Sequence, residues 1–61
     1  MMERKEIKRL IGVYADKHRT SNDEQLKRSL EQQTFELIKE EVEPELRDVY
    51  TAYYYLRRGN Y

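Results

Sequence analysis

Asp16, His18 and Ser21 fall within the six-residue stretch DKHRTS. Their types are those of a carboxylate–imidazole–hydroxyl relay, in which a base takes the nucleophile's proton. Their spacing opposes that chemistry. Asp16 and His18 are two apart, and residues two apart on a helix point to different sides. No oxyanion-binding donors are implied around them. His18 is instead expected at a helix end, with its ring beside Tyr14 and an imidazole that can titrate near neutrality.

Glu40, Glu41, Glu43, Glu45 and Asp48 form an acidic cluster. Hard cations take oxygen ligands, but a built site arranges them on a loop or across helices. Neither an EF-hand spacing nor a Glu-x-x-His pair is present, so a solvated acidic face is expected and no metal. The chain has no cysteine, which excludes disulfides and thiolate metal sites. Its only glycines are Gly12 and Gly59, so no phosphate-cradling loop or nucleotide fingerprint exists and no cofactor is expected.

The basic residues are more suggestive. On a helix turning 100° per residue, Lys5, Lys8, Arg9 and Arg19 share one band with Gly12 in its middle. Such a band could meet a phosphate backbone, with Gly12 allowing close approach. Asp16 interrupts it, and no recognition-helix, zinc-finger or RNA-binding signature accompanies it.

The closing stretch YTAYYYLRRGNY holds five of the chain's six tyrosines. Tyr50, Tyr53, Tyr54 and Tyr55 point in four directions on a helix, so one neighbouring helix cannot cover them all. Tyrosine and arginine are enriched at interface hot spots. Tyr50, Tyr54, Tyr55, Arg57 and Arg58 are therefore the expected partner-binding set, and Tyr53 the core tyrosine. Base stacking on single-stranded nucleic acid is the lesser alternative for the same rings.

All these residues must be positioned by helices. Ile7, Leu10, Ile11 and Tyr14 recur at helical spacing, which predicts a helix over 3–18. Lys17, His18 and Arg19 suit its last turn, where positive charge complements the dipole. In TSNDE, Ser21 and Glu24 fit a capping box that starts a second helix near residue 22. Leu26, Leu30 and Leu37 share one face of it. Phe35, Ile38, Val42, Leu46, Val49, Tyr53 and Leu56 form another stripe that runs through Pro44. Proline fits the first turn of a third helix or a kink in a long one. The unbroken stripe favours a long, Pro-bent helix over 22–58, stopped by Gly59. The expected architecture is all-α, a helical hairpin or three-helix arrangement. One helix cannot cover both apolar faces, so the stripe is expected to mediate homodimerisation.

At 61 residues the chain is expected to be one small domain over 1–61. A core this small rarely supplies more than about 3–5 kcal/mol. Net charge is +3 over residues 1–19, −5 over 20–45 and +2 over 46–61, a pattern that suits antiparallel packing. No apolar run reaches the roughly 20 residues of a membrane span, and the start has no signal-peptide core. A cytoplasmic, non-enzymatic regulator, adaptor or inhibitor acting on a larger protein is the leading expectation. A small nucleic-acid-binding regulator using the band of the first helix is the alternative. In the alternative, a mobility shift on duplex DNA or RNA at about 50 mM salt, where phosphate contacts are strong, is lost in Lys8→Glu/Arg9→Glu. Absence of any shift by the unaltered chain disposes of that reading.

Overall fold

A computed structural model describes residues 2–59; Met1, Asn60 and Tyr61 lie outside them. The described chain folds into three helices: α1 (Arg4–Thr20), α2 (Glu24–Glu41) and α3 (Arg47–Arg58), the last entered through a 3-10 turn, Pro44–Leu46. The all-α, three-helix form of the expectation is thus what is found.

α1 buries Ile7, Ile11, Gly12 and Ala15, the i, i+4, i+8 stripe of an inward face and its neighbour. It ends where Ser21 turns extended and its N–H bonds the His18 carbonyl. α2 is capped by Asp23, whose Oδ1 accepts from the N–H groups of Gln25 and Leu26. Ser21 was expected in that role; it instead accepts from the Asp23 N–H at 3.0 Å and holds the cap residue in place. Leu30, Thr34 and Ile38 form the buried stripe of α2. The Thr34 hydroxyl is satisfied within the helix by the Leu30 carbonyl at 2.8 Å.

The single Pro-bent helix over 22–58 does not form. Val42 (φ −110°, ψ 135°) and Glu43 (φ −61°, ψ 144°) are both extended. Steric conflict with the proline ring pushes the preceding residue out of the α region, and Pro44 then opens a new turn at a position where its missing N–H costs nothing. Arg47 stabilises the reversal: Nε donates to the Val42 carbonyl at 3.1 Å and Nη2 to the Lys39 carbonyl at 2.7 Å. Those are carbonyls at the end of α2, which has no further turn to satisfy them. Gly59 closes α3 as expected, left-handed at φ 81°, its N–H on the Tyr55 and Leu56 carbonyls.

α1 is the central element and packs along both other helices, while α2 and α3 meet over a shorter stretch. Arg4 lies near Glu43, Lys8 over Tyr53 and Asp16 on Arg57, so α1 and α3 run in the same direction. α2 runs against them, with Met2 N donating to Glu41 at one end and His18 facing Glu31 at the other.

The core is Ile7, Ile11, Ala15, Ile38, Val42 and Tyr54, with Leu37, Leu46 and Tyr50 packed around it. Two expectations are corrected here. Tyr54, expected at the surface, is completely buried, and its ring stands edge-on to Phe35 (5.8 Å between centroids) and Tyr55 (5.4 Å). Tyr53, expected in the core, is only half-buried at the α1–α3 edge. The two extended residues before Pro44 reset the rotation of α3, so the inward face is set by Tyr50 and Tyr54 rather than by Val49 and Leu56.

The Tyr54 hydroxyl is buried and meets no hydrogen-bond partner among the described residues. Burial, with a smaller contribution from neighbouring Tyr55, pushes its pKa up from 10.0 to about 12. Because the folded value is raised, the stability tied to this group is whole below pH 10.0 and declines as pH rises toward 12. Tyr54→Ala is expected to cost about 3–5 kcal/mol, enough to unfold the domain. Tyr54→Phe keeps the ring and removes an orphaned polar atom, so it is expected to gain about 1 kcal/mol and to flatten the alkaline limb. Urea titrations at neutral and alkaline pH check both.

Gly12 is buried, yet a methyl group added there meets only the Tyr53 hydroxyl at 3.5 Å and Arg57 Nε at 4.0 Å, ordinary contact distances. Gly12→Ala is therefore expected to stabilise by about 0.5–1 kcal/mol through helix propensity. A lowered thermal midpoint in this variant means that α1 and α3 approach more closely than these distances allow.

Candidate functional site

Two kinds of surface are built on this bundle: polar ties that close its ends, and a face of α3 that none of the other described residues covers. The tie at one end centres on Glu31 of α2. Its Oε1 accepts from Arg58 of α3 and lies 3.3 Å from His18 Nε2 of α1. One carboxylate thus meets all three helices. The side chains of His18 and Arg58 are only 15% and 14% exposed, and the Arg58 guanidinium also covers the Tyr55 ring at 4.8 Å. Sequence reasoning missed Glu31. The charge pattern pointed to an acid of the middle segment beside the two cationic helix ends, but not to which one.

His18 titrates below the ordinary imidazole value. Burial is the main cause, followed by the positive charges of Arg58 and Lys27, with Glu24 opposing. Glu31 Oε1 also faces the ring, but Arg58 already occupies that oxygen. Along the α1–α3 edge, Asp16 accepts from Arg57 Nε at 3.2 Å and Nη2 at 3.3 Å, and from Arg19 at 3.3 Å. The Arg57 hydrogen bonds hold its carboxyl below the usual range of 3.8, and Arg57 is raised in turn.

The relay-like trio is therefore divided among three sets of partners: Asp16 serves Arg57, His18 faces Glu31, and Ser21 holds Asp23. Among the described residues, no three carboxylate or imidazole groups converge as a metal site would require. No helix among them is long and apolar enough to cross a membrane.

The basic band of α1 adjoins α3. Lys8 lies 5.2 Å above the Tyr53 ring, and Arg19 pairs with Asp16. Lys5 and Arg9 remain exposed without an ion pair among the described residues. Asp16, which seemed to interrupt the band, is the group that ties it to α3.

The stripe expected to mediate self-association is split by the break at Val42. Ile38 and Val42 lie in the chain's own core, and Phe35 packs against Tyr54 and Tyr55. Leu46 is half-buried. Val49 and Leu56, at 62% and 68% exposure, face outward with Ala52 between them and Tyr53 at the margin. Of the expected partner-binding set, Tyr54 is withdrawn into the core. Tyr50, Tyr55 and Arg58 are half-buried, and Arg57 is exposed but paired with Asp16.

Comparison with protein-family models, with curated proteins and with solved structures finds no match to this chain.

Glu31→Gln is expected to lower stability by about 1–3 kcal/mol, because Arg58 loses a charge-assisted partner while largely buried. The His18 pKa is lowered on folding, so its contribution is complete above about 6.5 and is lost as pH falls through the depressed folded value. The Asp16 contribution is lost only at lower pH, beneath 3.8. Thermal melts in steps from neutral to acid are expected to show a first decline that His18→Gln abolishes and a second that it leaves.

Proposed function

We propose that this chain is a small binding protein whose contact surface is the outward face of α3, formed by Val49, Ala52 and Leu56 with Tyr53 at its edge. The observation that carries this reading is the exposure of Val49 and Leu56, 62% and 68%, on one face of a short helix. Isolated exposed apolar residues are common and need no explanation. Here two large ones sit seven residues apart in sequence on one helix face, bordered by Tyr53 and, on the α2 side, by Tyr55 and Arg58, and tyrosine and arginine are enriched at interfaces. In a domain with so small a core, leaving both outside forgoes burial of about 1.5–3 kcal/mol each.

The action is that of a regulator, adaptor or inhibitor that docks α3 on a helical or grooved surface of another protein, without chemistry of its own. Helix-in-groove recognition reads anchors at i, i+3, i+7, which is the spacing of Val49, Ala52 and Leu56. Tyr55 and Arg58 border this face on the α2 side and extend the contact. The nucleic-acid alternative draws less support, because Lys8 and Arg19 of the basic band already have partners within the chain.

Val49→Glu/Leu56→Glu is expected to leave helicity, and the thermal midpoint of the chain at high dilution, nearly unchanged, since both side chains are exposed. It is expected to lower affinity for the partner by 2 kcal/mol or more, roughly thirtyfold. Crosslinking in the native host, with the unaltered chain and this variant compared in the presence of nuclease, checks the reading. An identical set of crosslinked proteins from both defeats it.

A further inference from the structure

The α3 face is not symmetric about its apolar stripe, and its two edges differ in charge. Val49, Ala52 and Leu56 follow the alternating 3–4 spacing of a coiled-coil seam. With Val49 and Leu56 as a-type positions and Ala52 as d, Asp48 precedes the seam as a g-type residue and Tyr53 follows it as an e-type residue. Asp48 is exposed and has no ion pair among the described residues. Tyr53 carries Lys8 of α1 over its ring, 5.2 Å from the centroid. At Asp48 one edge of the seam is therefore anionic, turning cationic a heptad on where Arg58 covers Tyr55, and the other edge is cationic at Lys8, with Lys5 and Arg9 exposed farther along α1.

From this juxtaposition we propose that the partner that fits the α3 face is a second copy of this chain, docked with the two α3 helices parallel. The proposal rests on the reading of that face as a contact surface and names its occupant. In a parallel pair, each g-type residue meets the e-type residue of the other helix five positions on. That brings Asp48 of each copy to Tyr53 of the other and to the Lys8 ammonium lying on it. Both edges are satisfied at once, twice by symmetry. An antiparallel pair sets g against g and e against e. Asp48 then meets the Tyr55–Arg58 end of the other copy's edge, but the two Lys8 ammoniums face each other without an anion, whereas the parallel form gives each Lys8 an Asp48, so Lys8 selects the parallel form. Ala52 at the centre of the seam has a side chain small enough for the helices to approach closely. Of the stripe expected from sequence to mediate dimerisation, only the part beyond Pro44 takes part, because Ile38 and Val42 are spent in the core.

A charge exchange tests it. Asp48→Lys places two cations on each edge contact, and Lys8→Glu places two anions there; mixing the two variants restores opposite charges at both contacts. Sedimentation equilibrium on the full chain is expected to give a dimer for the unaltered protein at micromolar concentration. Each variant alone is expected to dissociate at least tenfold more readily, and the equimolar mixture to recover dimer. Circular dichroism verifies that each variant is folded, and Glu45→Lys in the 3-10 turn before α3, with Lys5→Glu in α1, is the control pair outside the Asp48–Lys8 contact. A wild-type chain that stays monomeric at its highest soluble concentration overturns the dimer and leaves the reading of α3 as a surface for other proteins intact. A dimer that persists in both variants, or a mixture no better associated than its components, overturns the parallel pairing. A dimer unaffected by Val49→Glu/Leu56→Glu removes the surface itself.

Discussion

Two extended residues, Val42 and Glu43, hold the chain in the turn that everything after them requires. Pro44 disfavours a helical Glu43, and the 3-10 turn that follows restarts the helix on a new rotation and heading. Without this break, α3 continues away from α1, Tyr54 has no core to enter, and the inward face of α1 is covered on one side only. Arg47 secures the turn from within by donating to two carbonyls at the end of α2. The turn thus depends on a steric restriction from one residue and a hydrogen-bond supply from another.

Once α3 is folded back, it is held by the burial of Tyr54 and oriented by polar ties at both edges. Glu31 links Arg58 and His18 across all three helices, and Asp16 holds Arg57. The two ties differ in kind. Asp16 is well hydrated, so salt screens it and its net worth is small. Glu31 and Arg58 are largely withdrawn from water, so their attraction is stronger and the loss of either partner leaves a costly charge behind. Tyr54 supplies apolar contact between these ties, though its hydroxyl is left without a partner.

The helical periodicity of α1, its cationic last turn and the stop at Gly59 were legible because each depends on neighbours within a turn or two. The inward face of α3 was not. Reading the stripe from Phe35 to Leu56 at constant rotation assumes an uninterrupted helix, and two extended residues destroy that phase. The same assumption turned Tyr53 inward and Tyr54 outward. The Ser21 cap was misplaced by two residues because Asp23 competes for the same N–H groups and lies closer to them. Glu31 could not be singled out from eight acids of the middle segment until the helices' relative directions were known. Val49 and Leu56, expected to lie on a self-association stripe, are exposed, but most of the rest of that stripe packs in or against the chain's own core.

The parallel course of α1 and α3 bears on how the molecule comes into being. The hydrogen bonds between Asp16 and Arg57 span 41 residues of sequence, and Ile7 and Ile11 share their core with Tyr54. α1 and α2 can meet as a local hairpin while α3 is still unmade, but that hairpin leaves an open trough where the tyrosine ring belongs. Because the chain is synthesised from its N-terminus at about 5–20 residues per second, the first helix waits seconds for the last to emerge. The nascent protein therefore spends that interval with an apolar trough exposed, and it is α3, rather than the first helix, that completes the core.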